Sequence, residues 1–252
     1  IALADSTGWE EVISGRDLSE PEMLERCSRL IRERDPDVIE GHNIFRFDLE
    51  YLEARAKRHG VELGWGRDGS PLRGHASRMQ VAERAITYRR YQVWGRHIVD
   101  TWILVQHYDV AARDLESYGL KDVARHFGVA TPERTYLAAE DIPRVFSEDP
   151  ERLMAYARDD VLETLALSRI LSPSYFVQAQ IFPFEYQGVV LKGNATKIDS
   201  LLLREQLHLG AQGPQVVQQP HARHGERAQR QGQEALVAGL MGEDWQERGE
   251  DD

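Results

Sequence analysis

Val38-Ile39-Glu40-Gly41-His42-Asn43-Ile44-Phe45-Arg46-Phe47-Asp48 is the stretch on which the fold turns. Two β-branched residues running into a glycine-containing turn read as a strand end, and Leu49 to His59 then shows helical apolar spacing that Gly60 stops. Strand, turn and helix meet here. Toward the N-terminus, Ser19-Glu20-Pro21-Glu22 has capping-box spacing, and Met23, Cys27, Leu30 and Ile31 follow at helical intervals until Asp35-Pro36. Before that, Ile1 to Ala4 and Val12-Ile13 flank a polar stretch with Gly8, the pattern of an antiparallel pair. Toward the C-terminus, the glycines, Pro71 and charges from Gly64 to Gly74 mark an exposed loop. Ile86 to Val99, rich in tyrosine, tryptophan and valine around Gly95, reads as a β-hairpin feeding the strand His97 to Thr101. Helical patterns resume over Leu115 to Phe127, closed by Gly128, and over Pro150 to Leu171. The expectation is an α/β domain over residues 1–172, a mixed sheet flanked by helices with a β-hairpin insertion.

Residues 173–190 read as an aromatic loop, followed by a helix from Thr196 to His208 that carries Leu201-Leu202-Leu203. From Ala211 the composition turns to glutamine, glycine, arginine and acids, too poor in large apolar residues for a core. Residues 211–252 are therefore expected to be disordered, or to hold a short docking helix around Ala235 to Leu240.

Of the 252 residues 41% are apolar and 29% charged, ordinary globular values. No apolar run approaches the ~20 residues that span a bilayer, so no membrane partner is expected. The single cysteine, Cys27, can form neither an internal disulfide nor a cysteine-rich zinc site, which points to a reducing, cytoplasmic setting. A net charge of −11, from 31 basic and 42 acidic residues, argues against bulk electrostatic capture of duplex DNA. It leaves open an enzyme with a carboxylate-lined, cation-filled site. The start at Ile1, without methionine or leader, reads as a cut through a larger sequence.

Two constellations can carry chemistry. Tyr156 and Asp160 are four apart on the helix from Pro150, so hydroxyl and carboxylate share a face and can address one point. A solvated acid beside a half-buried tyrosine is the bland reading. Asn43, Phe47 and Asp48 lie where the strand runs into the helix; an acid in a first helical turn also serves the helix dipole, so Asp48 reads equally as a helix-start residue.

In this order on an α/β domain, the two constellations resemble the second and third exonuclease motifs of the proofreading domain of family B DNA polymerases. The second motif there is Asn, a short spacer, an aromatic and Asp, matched by Asn43, Phe47 and Asp48; the third is Tyr-x-x-x-Asp, matched by Tyr156 and Asp160. The related branch with His-x-x-x-x-Asp finds no match at any of the nine histidines. Similarity extends over Arg32 to Asn43, Gly95 to Asp100, Leu115 to Leu120, and Gly193-Asn194 with Leu201 to Glu205, and so covers about residues 1 to 210. It makes 173–210 a connector toward a polymerase palm domain.

The resemblance implies an RNase H-like fold and 3′-5′ hydrolysis of the terminal phosphodiester of single-stranded DNA, with two Mg²⁺ or Mn²⁺ ions in the complete site. Asp48 and Asp160 would then ligate metal, Tyr156 would orient the attacking water, and Asn43 and Phe47 would contact the terminal nucleotide, Phe47 reading equally as core packing. The family's first motif, an Asp-x-Glu on an opening strand, has no counterpart. Asp48-Leu49-Glu50, Asp114-Leu115-Glu116 and Asp149-Pro150-Glu151 are better explained as helix-start residues. Palm motifs are likewise absent after residue 210, so DNA synthesis is not expected of this chain. The alternatives are a non-catalytic DNA-binding or structural module of the same fold, and an RNA exonuclease.

Four further readings stay open. Asp159 competes with Asp160 as the ligand, with the motif spacing favouring Asp160. Asp100 ends a strand near the cleft, where structural hydrogen bonding is preferred to metal binding. His42 and Arg46 lie within reach of a phosphate, although a solvated role suits Arg46. Arg84, Tyr88, Arg89, Arg90, Tyr91, Trp94 and Arg96 form either a single-strand-binding strip or an ordinary hairpin with core aromatics.

Overall fold

A computed structural model describes residues 1–130 and 133–209. The expectations for residues 211–252, including the helix at Ala235 to Leu240, lie outside the described residues. The chain opens with β1 (Ala2–Ala4) and β2 (Glu10–Val12), an antiparallel pair with Ala2 opposite Val12. Helix α1 (Glu20–Arg34) starts on the expected capping box: the Ser19 N–H donates to the Glu22 carboxylate at 2.7 Å. It ends where Asp35 turns left-handed at φ 45°, and Leu24, Cys27, Leu30 and Ile31 form its buried face.

Strand β3 (Val38–Gly41) leads into α2 (Asp48–His59), which Gly60 closes at φ 64°. A long hairpin follows, β4 (Arg73–Val81) and β5 (Arg84–Gln92), then β6 (His97–Asp100). β6 leaves the hairpin at Gly95 and pairs in parallel with β3, Val38 opposite His97 and Gly41 opposite Asp100. Among the described residues the six strands thus form three two-stranded pairs, two antiparallel and one parallel.

The helical remainder is α3 (Thr101–Ala112), α4 (Leu120–His126), α5 (Ile142–Glu148), α6 (Pro150–Leu171), α7 (Pro173–Ile181), α8 (Tyr186–Leu191) and α9 (Asn194–His208). The long α6 ties the layers together by packing on β1, β2, β3, α3, α4 and α5. Phe45, Leu49, Tyr91, Ile98, Val99, Ile103, Leu104 and Leu167 are among the fully buried side chains of the core.

The sequence reading lacks the short helix α5 and differs from this structure in four further places. The hairpin joins β4 to β5 rather than folding at Gly95. Strand β4, Arg-Gly-His-Ala-Ser-Arg-Met-Gln-Val, carries little β-branched or aromatic signal, and the turn is made by Ala82 at φ 51° without the usual glycine. Helix α3 has no apolar stripe because Thr101, Ile103, Leu104, Val105 and Gln106 are all buried, which erases the 3.6-residue period. Leu115 to Gly119 is not helical, so α4 begins only at Leu120. The presumed loop 173–190 holds α7 and α8, whose Tyr186 and Val190 enter the core. Gln187 there bridges two strands, its amide N–H donating to the Tyr91 carbonyl at 2.8 Å while its carbonyl accepts the Ile98 N–H at 3.1 Å. No described helix is long and apolar enough to cross a membrane.

Candidate active site

The site gathers around the C-terminal ends of β3 and β6. Gly41 is required there: a Cβ would stand 2.7 Å from the Ile44 side chain. Asn43 follows in the left-handed region at φ 66°, a conformation asparagine tolerates better than most residues. Asp100 fixes this turn. Its carboxylate accepts the backbone N–H groups of Asn43 at 2.8 Å, Phe45 at 3.3 Å and Trp102 at 2.9 Å. Burial pushes its pKa up to about 7 in spite of those bonds. His42 is a strut: its ring nitrogens lie 3.0 Å from the Thr101 hydroxyl and 2.8 Å from the Tyr118 carbonyl oxygen, and burial lowers its pKa. Neither nitrogen is left for a phosphate. Arg46 is exposed, its guanidinium 5.1 Å from the Trp102 ring centroid.

The turn delivers Asp48 to the first position of α2. Asp48 is open to solvent, yet the protein crowded around it raises its pKa to about 6, with the charge of Asp160 adding to the effect. Asp160 comes from the middle of α6, one turn after Tyr156, whose hydroxyl lies close enough to bear on its pKa. Asp160 is raised by desolvation, against the pull of Arg134, Tyr156 and Lys121. The Lys121 ammonium sits 4.9 Å from the Tyr156 ring centroid. Asp48, distant in sequence from Tyr156 and Asp160, is therefore brought near them by the fold. Asp159 is engaged elsewhere, accepting the Thr135 N–H at 2.8 Å. Asp149 caps α6 by accepting the Arg152 N–H at 3.2 Å.

Phe47 is not core packing: it is 65% exposed beside Asp48. Its ring lies parallel to that of Tyr51, one turn along α2 and 57% exposed, with centroids 6.4 Å apart and an 11° interplanar angle. The basic–aromatic strip does not form a comparable surface. Tyr88, Tyr91 and Arg96 are buried, Arg89 is paired with Glu53 and Arg90 with Glu185, and Arg84 is bound to the Tyr118 hydroxyl. Trp94 alone among its aromatics is exposed.

Sequence reading missed Tyr51, Lys121, Arg134 and Glu163. Tyr51 carried a signal in its four-residue spacing from Phe47, and Glu163 in lying on the helix that carries Asp160. Arg134, in an irregular segment, carried none. Its side chain is fully buried between Asp160, with a nitrogen at 2.5 Å, and Glu163.

As donors, the two carboxylates of Asp48 and Asp160 suit one hard divalent cation, being partly desolvated oxygen ligands whose charges repel each other. Ligands for a second ion are not in evidence: among the described residues no three His, Cys, Asp or Glu side chains converge on a metal position.

Comparison with known proteins bears on this arrangement. Residues 8–123 match the family model described as DNA polymerase family B, exonuclease domain. The chain is 29% identical over 217 residues to a DNA polymerase of Archaeoglobus fulgidus, covering 85% of this chain and 25% of that protein. It is 28% identical to DNA polymerase 2 of Aeropyrum pernix, with 89% of this chain and 26% of the relative covered. With the DNA polymerase delta catalytic subunit of Arabidopsis thaliana it shares 30% identity, covering 74% and 17%. The structure of the family B DNA polymerase from Pyrobaculum calidifontis superposes with a TM-score of 0.70 at 27% identity, over 89% of this chain and 28% of that one. The chain spans about a quarter of the length of the first two relatives.

Proposed function

From the premise that this chain belongs to the exonuclease-domain family of family B DNA polymerases, we propose that it receives the 3′ end of single-stranded DNA and serves 3′-5′ hydrolysis of the terminal phosphodiester. One observation carries the reading. Asp160, beside Tyr156 on α6, lies near enough to Asp48 on α2 for its charge to act there, and Asp48 is flanked along α2 by the exposed, parallel rings of Phe47 and Tyr51.

Each residue has work its chemistry permits. Phe47 and Tyr51 offer flat faces on which bases of any sequence stack. Asn43, half-buried in the turn before α2, would bond the terminal nucleotide through its side-chain amide. Tyr156 holds the attacking water through its hydroxyl, and because desolvation and the charge of Asp160 raise its pKa, it positions that water without deprotonating it. Asp48 and Asp160 would hold Mg²⁺ or Mn²⁺. Domains of this family are metal-dependent nucleases, and a bound ion supplies Lewis-acid stabilisation of the phosphoryl oxygens.

Residues 1–172 make up the nuclease unit, and 173–210 lead toward a polymerase domain, with α8 of that connector packed on β6. The buried, unpaired Cys27 suits a reducing, cytoplasmic setting.

The test is Mg²⁺- and Mn²⁺-dependent shortening of 5′-labelled single-stranded DNA. It compares this chain, its Asp160→Ala variant and a form extended upstream through an Asp-x-Glu strand, with single-stranded RNA alongside. Shortening of DNA by the extended form and its loss with Asp160→Ala is the expected result. DNA binding without hydrolysis in every form would instead establish the second reading, a non-catalytic DNA-binding module. That reading is favoured by the missing third ligand among the described residues. Preferential shortening of RNA would reassign the substrate.

A further inference from the structure

Arg134 is a buried cation that the mechanism above does not use. Its side chain is 0% exposed and lies between two acids of α6, Asp160 with 31% of its side chain exposed and Glu163 with 2%. The three residues that follow it are strapped down. The Thr135 N–H donates to Asp159 at 2.8 Å, Arg152 reaches the Tyr136 carbonyl at 3.4 Å, and the Lys121 ammonium donates to the Leu137 carbonyl at 3.1 Å. The Tyr136 ring packs against the guanidinium, its centroid 5.4 Å away. Arg134 is thus held where it is, and Asp160 is the partner on the solvent side.

We propose that Arg134 is the resident counter-ion of Asp160, so that a divalent cation gains Asp160 only by taking it from the guanidinium. The proposal rests on the reading of Asp160 as a metal ligand. A buried guanidinium must keep an acidic partner, because an uncompensated charge in the interior is strongly destabilising. Glu163 supplies that partner. When Asp160 turns to a metal ion, Arg134 stays paired with the more deeply buried Glu163, and the interior keeps its neutrality. Two acids of unequal exposure on one guanidinium allow this exchange without unfolding the segment. A single buried pair would not allow it. The arrangement sets the affinity of Asp160 for a cation, and keeps Asp160 charge-compensated while no ion is bound.

The experiment uses the full chain and Mn²⁺ alone, with free Mn²⁺ read by electron paramagnetic resonance. It compares the wild type, Arg134→Gln combined with Glu163→Gln, and that pair with Asp160→Asn added. The double substitution removes cation and buried acid together, and circular dichroism checks that it folds. Mn²⁺ affinity should rise roughly tenfold or more, the scale on which a cation at ion-pair distance biases a carboxylate. Adding Asp160→Asn should abolish the gain. An affinity that depends on Asp160 but is unchanged or weaker in the double variant overturns the counter-ion proposal alone. Mn²⁺ binding indifferent to Asp160→Asn overturns the metal-ligand reading beneath it. Should the double variant not fold, the ¹⁵N resonance of the wild-type Arg134 side chain decides. It should move as Mn²⁺-free Mg²⁺ is titrated in, and a resonance unmoved at Mg²⁺ saturation overturns the proposal.

Discussion

Asp100, the last residue of β6, accepts the backbone N–H of Asn43 at 2.8 Å across fifty-seven residues of sequence. The parallel pairing of β3 and β6 brings Gly41 opposite Asp100, so the two strand ends stop side by side. From there one carboxylate gathers the N–H groups of Asn43, Phe45 and Trp102. The turn between β3 and α2 takes its direction from Asp100, and α2 takes from the turn the place where Asp48 begins it.

Asp100→Asn should therefore destabilise the fold by about 1–3 kcal/mol, because the new amide turns an N–H donor toward one of the three N–H groups that needs an acceptor. The cost should depend on pH. Burial raises the Asp100 pKa to about 7, so the native state holds this proton more tightly than the unfolded chain does. Its stabilising contribution is complete below the ordinary aspartate pKa of about 3.9 and is lost as pH rises through about 7. Urea unfolding of wild type and variant at pH 5 and pH 8 should show the larger difference at pH 5. An equal difference at both would mean that Asp100 is ionised throughout.

Gly41→Ala tests the tightness of the same turn. The added Cβ would lie 2.7 Å from the Ile44 side chain, inside van der Waals contact, and overpacking of this kind typically costs about 1–3 kcal/mol. Ile44 is itself buried. Trimming it in the double variant Gly41→Ala with Ile44→Ala should cost less than the sum of the two single changes. Additive losses in a double-mutant cycle would place the strain of Gly41→Ala elsewhere.

The parts of this molecule legible in the sequence are those whose signals are local. The capping box at Ser19, the stop at Gly60 and the proline at the start of α6 each act within a turn of the chain, and each lies where it was expected. Helix α3 was illegible because full burial removes the polar face that makes a helix periodic. Strand β4 was illegible because its stability comes from its partner β5 rather than from its own residues. In the site, the meeting of Tyr156 with Asp160 follows from helical spacing alone. Arg134 could not be foreseen, since its place is set by tertiary pairing with two acids of another element.

Glu53 fastens α2 to the hairpin. It accepts both Arg89 nitrogens, at 2.9 and 3.1 Å, and the Tyr91 hydroxyl at 2.7 Å. Glu53→Ala would leave the hydroxyl of the fully buried Tyr91 without its partner, a loss of about 1–3 kcal/mol. Glu53→Gln keeps an oxygen for Tyr91 and should recover part of the loss. Desolvation works against the ionised Glu53, but the Arg89 and Tyr91 bonds prevail and its pKa is lowered. The wild-type advantage over Glu53→Gln should thus be present above the ordinary glutamate pKa and fade as pH falls through the lowered one. Thermal melts of the three proteins across acidic pH check both points, and an advantage that grows on acidification would contradict the pairing.

Phe47 and Tyr51 supply the prediction most closely tied to function. Both rings are more than half exposed and lie parallel, so neither is held for the sake of the core. If they form one stacking platform, Phe47→Ala and Tyr51→Ala should each weaken binding of short single-stranded DNA by about 1–3 kcal/mol, the usual worth of a base on an aromatic ring. Neither change should lower the melting temperature by more than a surface substitution does. Fluorescence anisotropy in EDTA isolates binding from hydrolysis and from metal. Because the stacked rings share a partner, the double variant should lose less than the sum of the single losses. Loss confined to Phe47→Ala would reduce the platform to one base, and no loss in either would move the DNA path away from α2.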